Sequence, residues 1–458
     1  MNKNTGITII AGVITIIVML ILSGITFSFV RRSNGILSRA QSVAETVRGS
    51  QVREYVESAS AENMGYDGLE MDEKNKDEVI AELRKNGYLK ENEAKLLENQ
   101  DEITIGGIEI DFSDLPHGKV LKAGEYASET TKYSDGTNSA LIPAEFTVSG
   151  MKDEQNISSG LVIYRGDLSN ADWSTGKDAS GNDIKRTYNQ YVWIPCTEDE
   201  YKRSEWEQES DNSTIATKDE TTLSGVTLSN VDITNGITYD ILNEIMNQIK
   251  IEKASVKKYG GFYIGRYEVG EGNVIMQYKN PMTNIMWFKA YQNAKKIDVG
   301  TTGTSFLCSS YSMDTAINFI QNNSEFKTYA STRDDGINGT AINENWKDKS
   351  VTYIDANGKQ QTKAAGKAMK LPAGVTTPKC NIYDLAGNTS EFTTELNPLP
   401  NDADATVILH GSNYNHYKPA GYRGDSVANN VRDYFGFRTT LFFSIVLILM
   451  WFNNIKIY

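Results

Sequence analysis

The stretch NIYDLAGNTSEF (381–392), read together with Gly436-Phe437-Arg438 near the end of the chain, decides the fold. In the first stretch Asp384, Asn388 and Glu391 bring side-chain oxygens together in one turn-rich segment. Such oxygens are the hard ligands that calcium takes. A tight turn closed by Asx hydrogen bonds is the alternative. In the second stretch neighbouring strand residues point to opposite faces, so Phe437 is expected inward and Arg438 toward a carboxylate.

Working outward from these blocks, short apolar runs separated by long polar loops begin near Leu141. They include IPAEFTV, GLVIY, YVWIP and GGFYIGRYEV, and the chain returns to this pattern at GFRTTLFF. Helices are expected over 284–297 and 311–322, where Trp287, Ala290, Tyr291 and Ala294, and then Met313, Ala316, Ile317 and Ile320, repeat at helical spacing. The pattern predicts an α+β domain held by a small sheet. In GGFYIGRYE the glycines allow close backbone approach. Arg266 and Glu268, two apart on one strand face, are expected to form a framework ion pair.

These runs, in this order, resemble the formylglycine-generating enzyme (sulfatase-modifying factor) family, and the resemblance covers 138–443. Its carriers are Tyr191-Val192-Trp193-Ile194-Pro195, Gly260 to Glu268, Asn280-Pro281, Asn284-Ile285-Met286-Trp287, the 381–392 block and Gly436-Phe437-Arg438. The resemblance implies a C-type-lectin-like fold. It makes Trp193, Gly261, Arg266, Glu268, Asp384, Gly387, Gly436, Phe437 and Arg438 framework positions, and it implies calcium near Asn388 and Glu391. Those enzymes hold copper with a cysteine pair shortly before the final GFR strand. The matching segment here, GSNYNHYKPAGYRGDSVANNV (411–431), contains no cysteine, so thiolate ligation of copper is not available there. The related iron-dependent sulfoxide synthases need a histidine cluster, and this chain has only His117, His410 and His416. No copper, no iron and no catalysis are expected.

The same segment is rich in Asn413, Tyr414, Asn415, His416, Tyr417, Tyr422, Asn430 and Tyr434. Tyrosine supplies contact area at low entropic cost and asparagine supplies adaptable hydrogen bonds, so these residues are the candidate ligand-binding set, for a glycan or protein ligand. Variable proteins of diversity-generating retroelements share the lectin-like fold, with mutable positions just before the terminal GFR. Adenine-targeted codons there yield Asn, Tyr, Asp, Ser and His. An ordinary polar loop region is the plain alternative.

The chain has 458 residues, 59 acidic against 46 basic, and a formal net charge of −13. That balance argues against a nucleic-acid partner, whose phosphates need a basic footprint. Cys196, Cys308 and Cys380 are far apart and lack zinc spacing, and they read as buried thiols or as one disulfide with a thiol left over.

At the other end, Ile7 to Val30 is free of charged residues and long enough to span a bilayer as a helix. The apolar pattern continues at Ile36, Ala40, Val43 and Val47, then slips at Gly49 and resumes at Val52, Val56 and Ala59. A polar leader (1–6) followed by this helix (7–60) resembles type IV pilins, and those of Gram-positive surface proteins in particular. The resemblance implies prepilin peptidase cutting between Gly6 and Ile7, and secretion or pilus-assembly machinery as partners. Ala11 stands where pilins carry an assembly glutamate. An uncleaved signal anchor is the alternative. Either way the expectation is a single-pass protein of the cell membrane with its large domain outside. Residues 61–137 read as a spacer or small α/β stalk, with a hairpin at 103–112, and 444–458 as an atypical hydrophobic tail. Taken together these features predict a membrane-anchored, surface-displayed, adhesin-like binding protein, with a structural pilin component as the rival.

Overall fold

The computed structural model describes residues 36–63, 75–97, 102–112, 120–203, 236–330, 347–397 and 406–443 apart from 417, with a few isolated positions between. The chain divides into two compact units, Met1–Gly118 and Lys119–Tyr458.

In the first unit α1 (Ile36–Asn63), α2 (Lys76–Lys85) and α3 (Glu91–Leu97) accompany a hairpin of β1 (Glu102–Ile105) and β2 (Ile108–Asp111). The hairpin turns at Gly106 and Gly107, both at positive φ, which glycine adopts without strain. Helix α2 begins with a capping box between Asn75 and Glu78. Val52 and Val56 of α1 join Val79, Leu83, Ile103, Ile105, Ile110 and Phe112 in one core. Gly49 lies so close to the Ile105 carbonyl that a Cβ would sit 2.2 Å from its oxygen. The slip in the apolar stripe falls at this contact. After it Val52 and Val56 are buried on the hairpin, whereas before it Val43 and Val47 are 62% and 48% exposed.

In the second unit a seven-stranded antiparallel sheet runs in the order β11-β18-β10-β9-β8-β7-β4. Its strands are β4 (Tyr126–Ala127), β7 (Phe146–Val148), β8 (Val162–Arg165), β9 (Gln190–Pro195), β10 (Gly261–Gly265), β11 (Gly303–Leu307) and β18 (Thr439–Phe443). A four-stranded sheet, β16-β15-β14-β17, is built from β14 (Ser390–Asn397), β15 (Thr406–His410), β16 (Arg423–Val427) and β17 (Phe435–Phe437). Within it β14 and β17 run parallel. Strands β3 (Val120–Leu121), β5 (Thr131–Ser134) and β6 (Ser139–Ile142) make a third sheet, and β12 (Val351–Ile354) with β13 (Gln360–Lys363) a separate hairpin.

The central strands are buried on both faces, which is why they read as unbroken apolar runs. Tyr191, Trp193, Tyr263, Leu441 and Phe443 enter one core cluster, and Val192, Ile194, Phe262, Ile264 and Phe442 the other. Helix α4 (Tyr239–Tyr259), started by Thr238 and ended by Gly260 at φ 73°, packs on β10 and β18. Helix α5 (Trp287–Ala294) packs on β11 and β14, and α6 (Ser310–Asn322) on β9 and β14. At roughly 25 cal/mol per Å² of buried apolar surface, this double-faced burial is the main drive for the unit.

Two expectations are corrected here. The chain is a mixed α/β protein, mainly of antiparallel sheet, and not an α+β protein led by a membrane-spanning, pilin-like helix. Among the described residues no helix is long and apolar enough to cross a membrane. Arg48 of α1 is instead paired with Glu45 and Glu93 at 2.5 and 2.7 Å. The single-pass placement at the cell membrane is therefore not supported and is withdrawn. Residues 7–30, the Gly6–Ile7 processing point and the 444–458 tail lie outside the described residues.

Gly261→Ala tests the central packing. Its Cβ would meet the Trp193 ring at 2.4 Å and the Ile194 carbonyl oxygen at 2.6 Å. A loss of about 1–3 kcal/mol is expected in denaturant unfolding. Unchanged stability would show that β9 and β10 do not approach this closely.

Candidate functional site

The candidate segment, 411–434, leaves β15, folds over the end of the four-stranded sheet, forms β16 and returns into β17. Its floor is made by the 381–392 block. Asn381, Asp384 and Asn388 there adopt positive φ of 62–65°, a region that asparagine and aspartate enter more readily than other residues carrying a Cβ. Gly436 lets β17 lie against Thr389, where a Cβ would stand 2.3 Å from the hydroxyl oxygen.

Three buried polar groupings fix this floor. Arg438, fully buried, donates to both oxygens of Glu391 at 2.6, 3.0 and 3.1 Å, to the Gly265 carbonyl at 2.8 Å and to the Tyr383 carbonyl at 2.7 Å. Glu268 accepts from Asn388 Nδ2 at 2.6 Å, and from the backbone and hydroxyl of Thr389. Burial, with Asp384 and Glu391 nearby, pushes the Glu268 carboxyl well above its ordinary range. Arg266 faces Glu154 at 2.8 Å. Burial alone would raise Glu154, but Arg266 and Lys185 outweigh it and hold its pKa down to about 2. The ion pair expected between Arg266 and Glu268 does not form, because β10 ends at Gly265 and the strict alternation of a strand ends with it.

Asn388 and Glu391, the calcium candidates, are engaged by protein groups. Asn388 Oδ1 accepts from Leu371 N and Asn345 Nδ2, and Glu391 is taken by Arg438. Asp384 accepts from Gly374 N and Thr376 Oγ1. Gly387 is buried in the same block. Among the described residues no group of three or more His, Cys, Asp or Glu is placed to hold a metal ion.

The ligand candidates divide into inward and outward sets. Asn413 and Tyr414 turn inward, 1% and 5% exposed. Asn413 donates to Ser390 Oγ, and the Tyr414 hydroxyl to Asp433 at 2.7 Å. His416 is exposed, and Asn415, Tyr422, Asn430 and Tyr434 are half-buried. Lys418 Nζ stands 5.3 Å from the Tyr422 ring centre, and Tyr434 packs edge-on against Tyr414 and Phe435. Tyr417 lies outside the described residues.

Sequence reasoning missed a buried cluster beneath β15 and β16. His410 Nε2 accepts from Arg423 Nε at 3.1 Å, and Arg423 also pairs with Asp314 of α6. Ser310 donates to Glu395, which pairs with Arg203 at 2.6 Å. Ser310, His410 and Asp314 together resemble a charge relay in type only. The serine hydroxyl is turned to Glu395, and the imidazole nitrogen that would take its proton is occupied by Arg423. An acid at position 314, on the face that carries Met313 and Ile317, was the available signal. Burial, and the charges of Arg423 and Arg203, hold His410 well below its ordinary pKa. The three cysteines are buried and free. Burial raises Cys196 to about 12 and Cys380 to about 11, which leaves them as unreactive thiols.

No protein-family model matches the chain, and no curated protein matches it. Among solved structures, CarF is similar over 40% of this chain and 87% of its own, at 14% identity and a TM-score of 0.27. Treponema denticola variable protein 1 is similar over 55% of this chain and 84% of its own, at 13% identity and a TM-score of 0.19. At these scores neither likeness establishes a shared fold.

Two outcomes test this geometry. Arg438→Met strands Glu391 in the interior and is expected to lose about 3–5 kcal/mol. Adding Glu391→Gln should recover part of the loss, and simple additivity of the two would contradict the pairing. For His410 the unfolded chain binds a proton near pH 6.5 that the folded chain refuses. Stability should therefore fall as pH drops below about 6.5. His410→Gln should flatten that slope in thermal melts run across the range.

Proposed function

We propose that the unit Lys119–Tyr458 is a non-catalytic ligand-recognition domain of C-type-lectin-like type, with its binding surface on the outward face of 411–434. One observation carries this reading. Within the segment, buried anchors alternate with outward residues. Ser412, Asn413, Tyr414, Ala420, Arg423 and Ala428 are buried, while Asn415, His416, Tyr422, Ser426, Asn429, Asn430 and Tyr434 reach solvent. The anchors hold the backbone through Ser390, Asp433 and Asp314, so the side chains between them carry little of the fold. Such a surface suits a glycan or a protein ligand, through aromatic contact and adaptable amides.

The same observation favours a second, narrower reading as a variable binding protein. Asn, Tyr, Ser and His occupy outward positions that can be exchanged without disturbing an anchor. The residue types that adenine-targeted codons yield fall where substitution is cheapest.

Ligand capture by the full chain from glycan and protein arrays tests the proposal. The control combines Tyr422→Ala, Asn430→Ala and Tyr434→Ala. Binding should weaken at least about tenfold, or 1.4 kcal/mol, while the melting temperature moves by less than about 2 °C, because no anchor is touched. Capture that survives the triple substitution would place recognition elsewhere. No capture by a folded protein would remove the recognition reading.

A further inference from the structure

A second surface, away from 411–434, has a charge that runs against the rest of the molecule. Between Asn345 and Lys370 the chain carries six lysines and two aspartates, in a protein of formal charge −13. This segment contains the β12–β13 hairpin. We propose that the hairpin is a docking site for an extended, acidic peptide segment of a partner protein, which adds as a third strand along β13.

Four features support this assignment. Lys359 and Lys367 are exposed and Lys349 is half-exposed, and the three carry no ion pair among the described residues. The local acid does not neutralise them. The Asp355 carboxylate is occupied by the turn, accepting from Asn357 N, Lys359 N and Gln361 Nε2 at 2.9 to 3.1 Å. Lys363 is turned inward, where its ammonium donates to the carbonyls of Lys349 and Lys367 at 2.8 and 3.4 Å. This places Lys349 and Lys367 beside the same end of β13, with Lys359 at the other end.

The strand edge is the second element of recognition. β13 pairs with β12 on one side, from Gln360↔Ile354 to Lys363↔Val351, and among the described residues no strand pairs with its other side. Gln360, Gln361 and Thr362 are exposed there. An open edge offers backbone donors and acceptors to another extended chain. Lysines beside such an edge repel basic strands and attract acidic ones, so charge selects the peptide and the backbone ladder selects its extended form. The hairpin is also held for the purpose. Arg186 donates to the Ala356 carbonyl at 3.5 Å while its guanidinium lies 5.6 Å from the Tyr278 ring centre. Less ordering entropy is then lost when a strand docks.

The test is fluorescence anisotropy of a labelled oligo-glutamate peptide titrated with the full chain at low salt. Saturable binding is expected. It should weaken at least about tenfold in the Lys349→Glu, Lys359→Glu, Lys367→Glu variant, and by a similar factor when alternate peptide nitrogens are methylated. The variant's melting temperature should stay near that of the parent, since the three side chains are at the surface. Absence of saturable binding, or binding indifferent to the variant, would overturn the proposal. Equal binding of the methylated peptide would do the same, as would equally tight competition by inorganic polyphosphate, because either outcome marks a simple anion patch. None of these results bears on the 411–434 surface, so the two readings fail separately.

Discussion

The second unit depends on the ion pair between Arg438 and Glu391. Arg438 is the single residue between β17 and β18, where the chain leaves the four-stranded sheet and enters the seven-stranded one. Its guanidinium grips Glu391 of β14 on one side and the end of β10, through the Gly265 carbonyl, on the other. One side chain thereby ties together the two sheets that its own backbone connects. A lysine could supply the charge but not the planar fork that reaches both oxygens and two carbonyls.

Burying a charge is tolerable only when every hydrogen-bonding group finds a partner. The unit meets that condition several times, and each instance joins segments distant in sequence. Arg266 meets Glu154, Gln190 and Asn381. Glu268 meets Asn388 and Thr389. Arg423 meets Asp314 and His410. These contacts add less to net stability than the apolar core does, but their directionality fixes which strand lies beside which. They also explain how a protein with so many irregular loops keeps a defined surface, because the loops end on buried, directional anchors.

Above that framework the 411–434 segment alternates fixed and free positions, and the β12–β13 hairpin stands out as a basic edge on an acidic molecule. The two surfaces use different chemistry. One offers neutral aromatic and amide groups on a curved loop, and the other offers lysines along a straight strand edge.

Much of the local structure was legible from the residues themselves. The hairpin at 103–112, the buried strand 191–195 and helices near 287–294 and 310–322 follow from periodicity and turn residues, because those signals are short-range. Asn381, Asp384 and Asn388 mark a turn-rich block by their tolerance of positive φ. Partner choice was not legible. Arg266 and Glu268 look paired on a strand ladder, yet each turns to a residue more than a hundred positions away once the strand ends. Asn413 and Tyr414 have the composition of a surface and lie in the floor. An apolar stripe broken at Gly49 reads as one long amphipathic helix until β1 and β2 are seen to cover only its second half. The sequence by itself determined where strands, turns and helices can form, since sterics and periodicity act over a few residues. Only the tertiary structure decided which charges are neutralised and which polar groups face solvent, since those depend on contacts between segments whose separation along the chain carries no local signal.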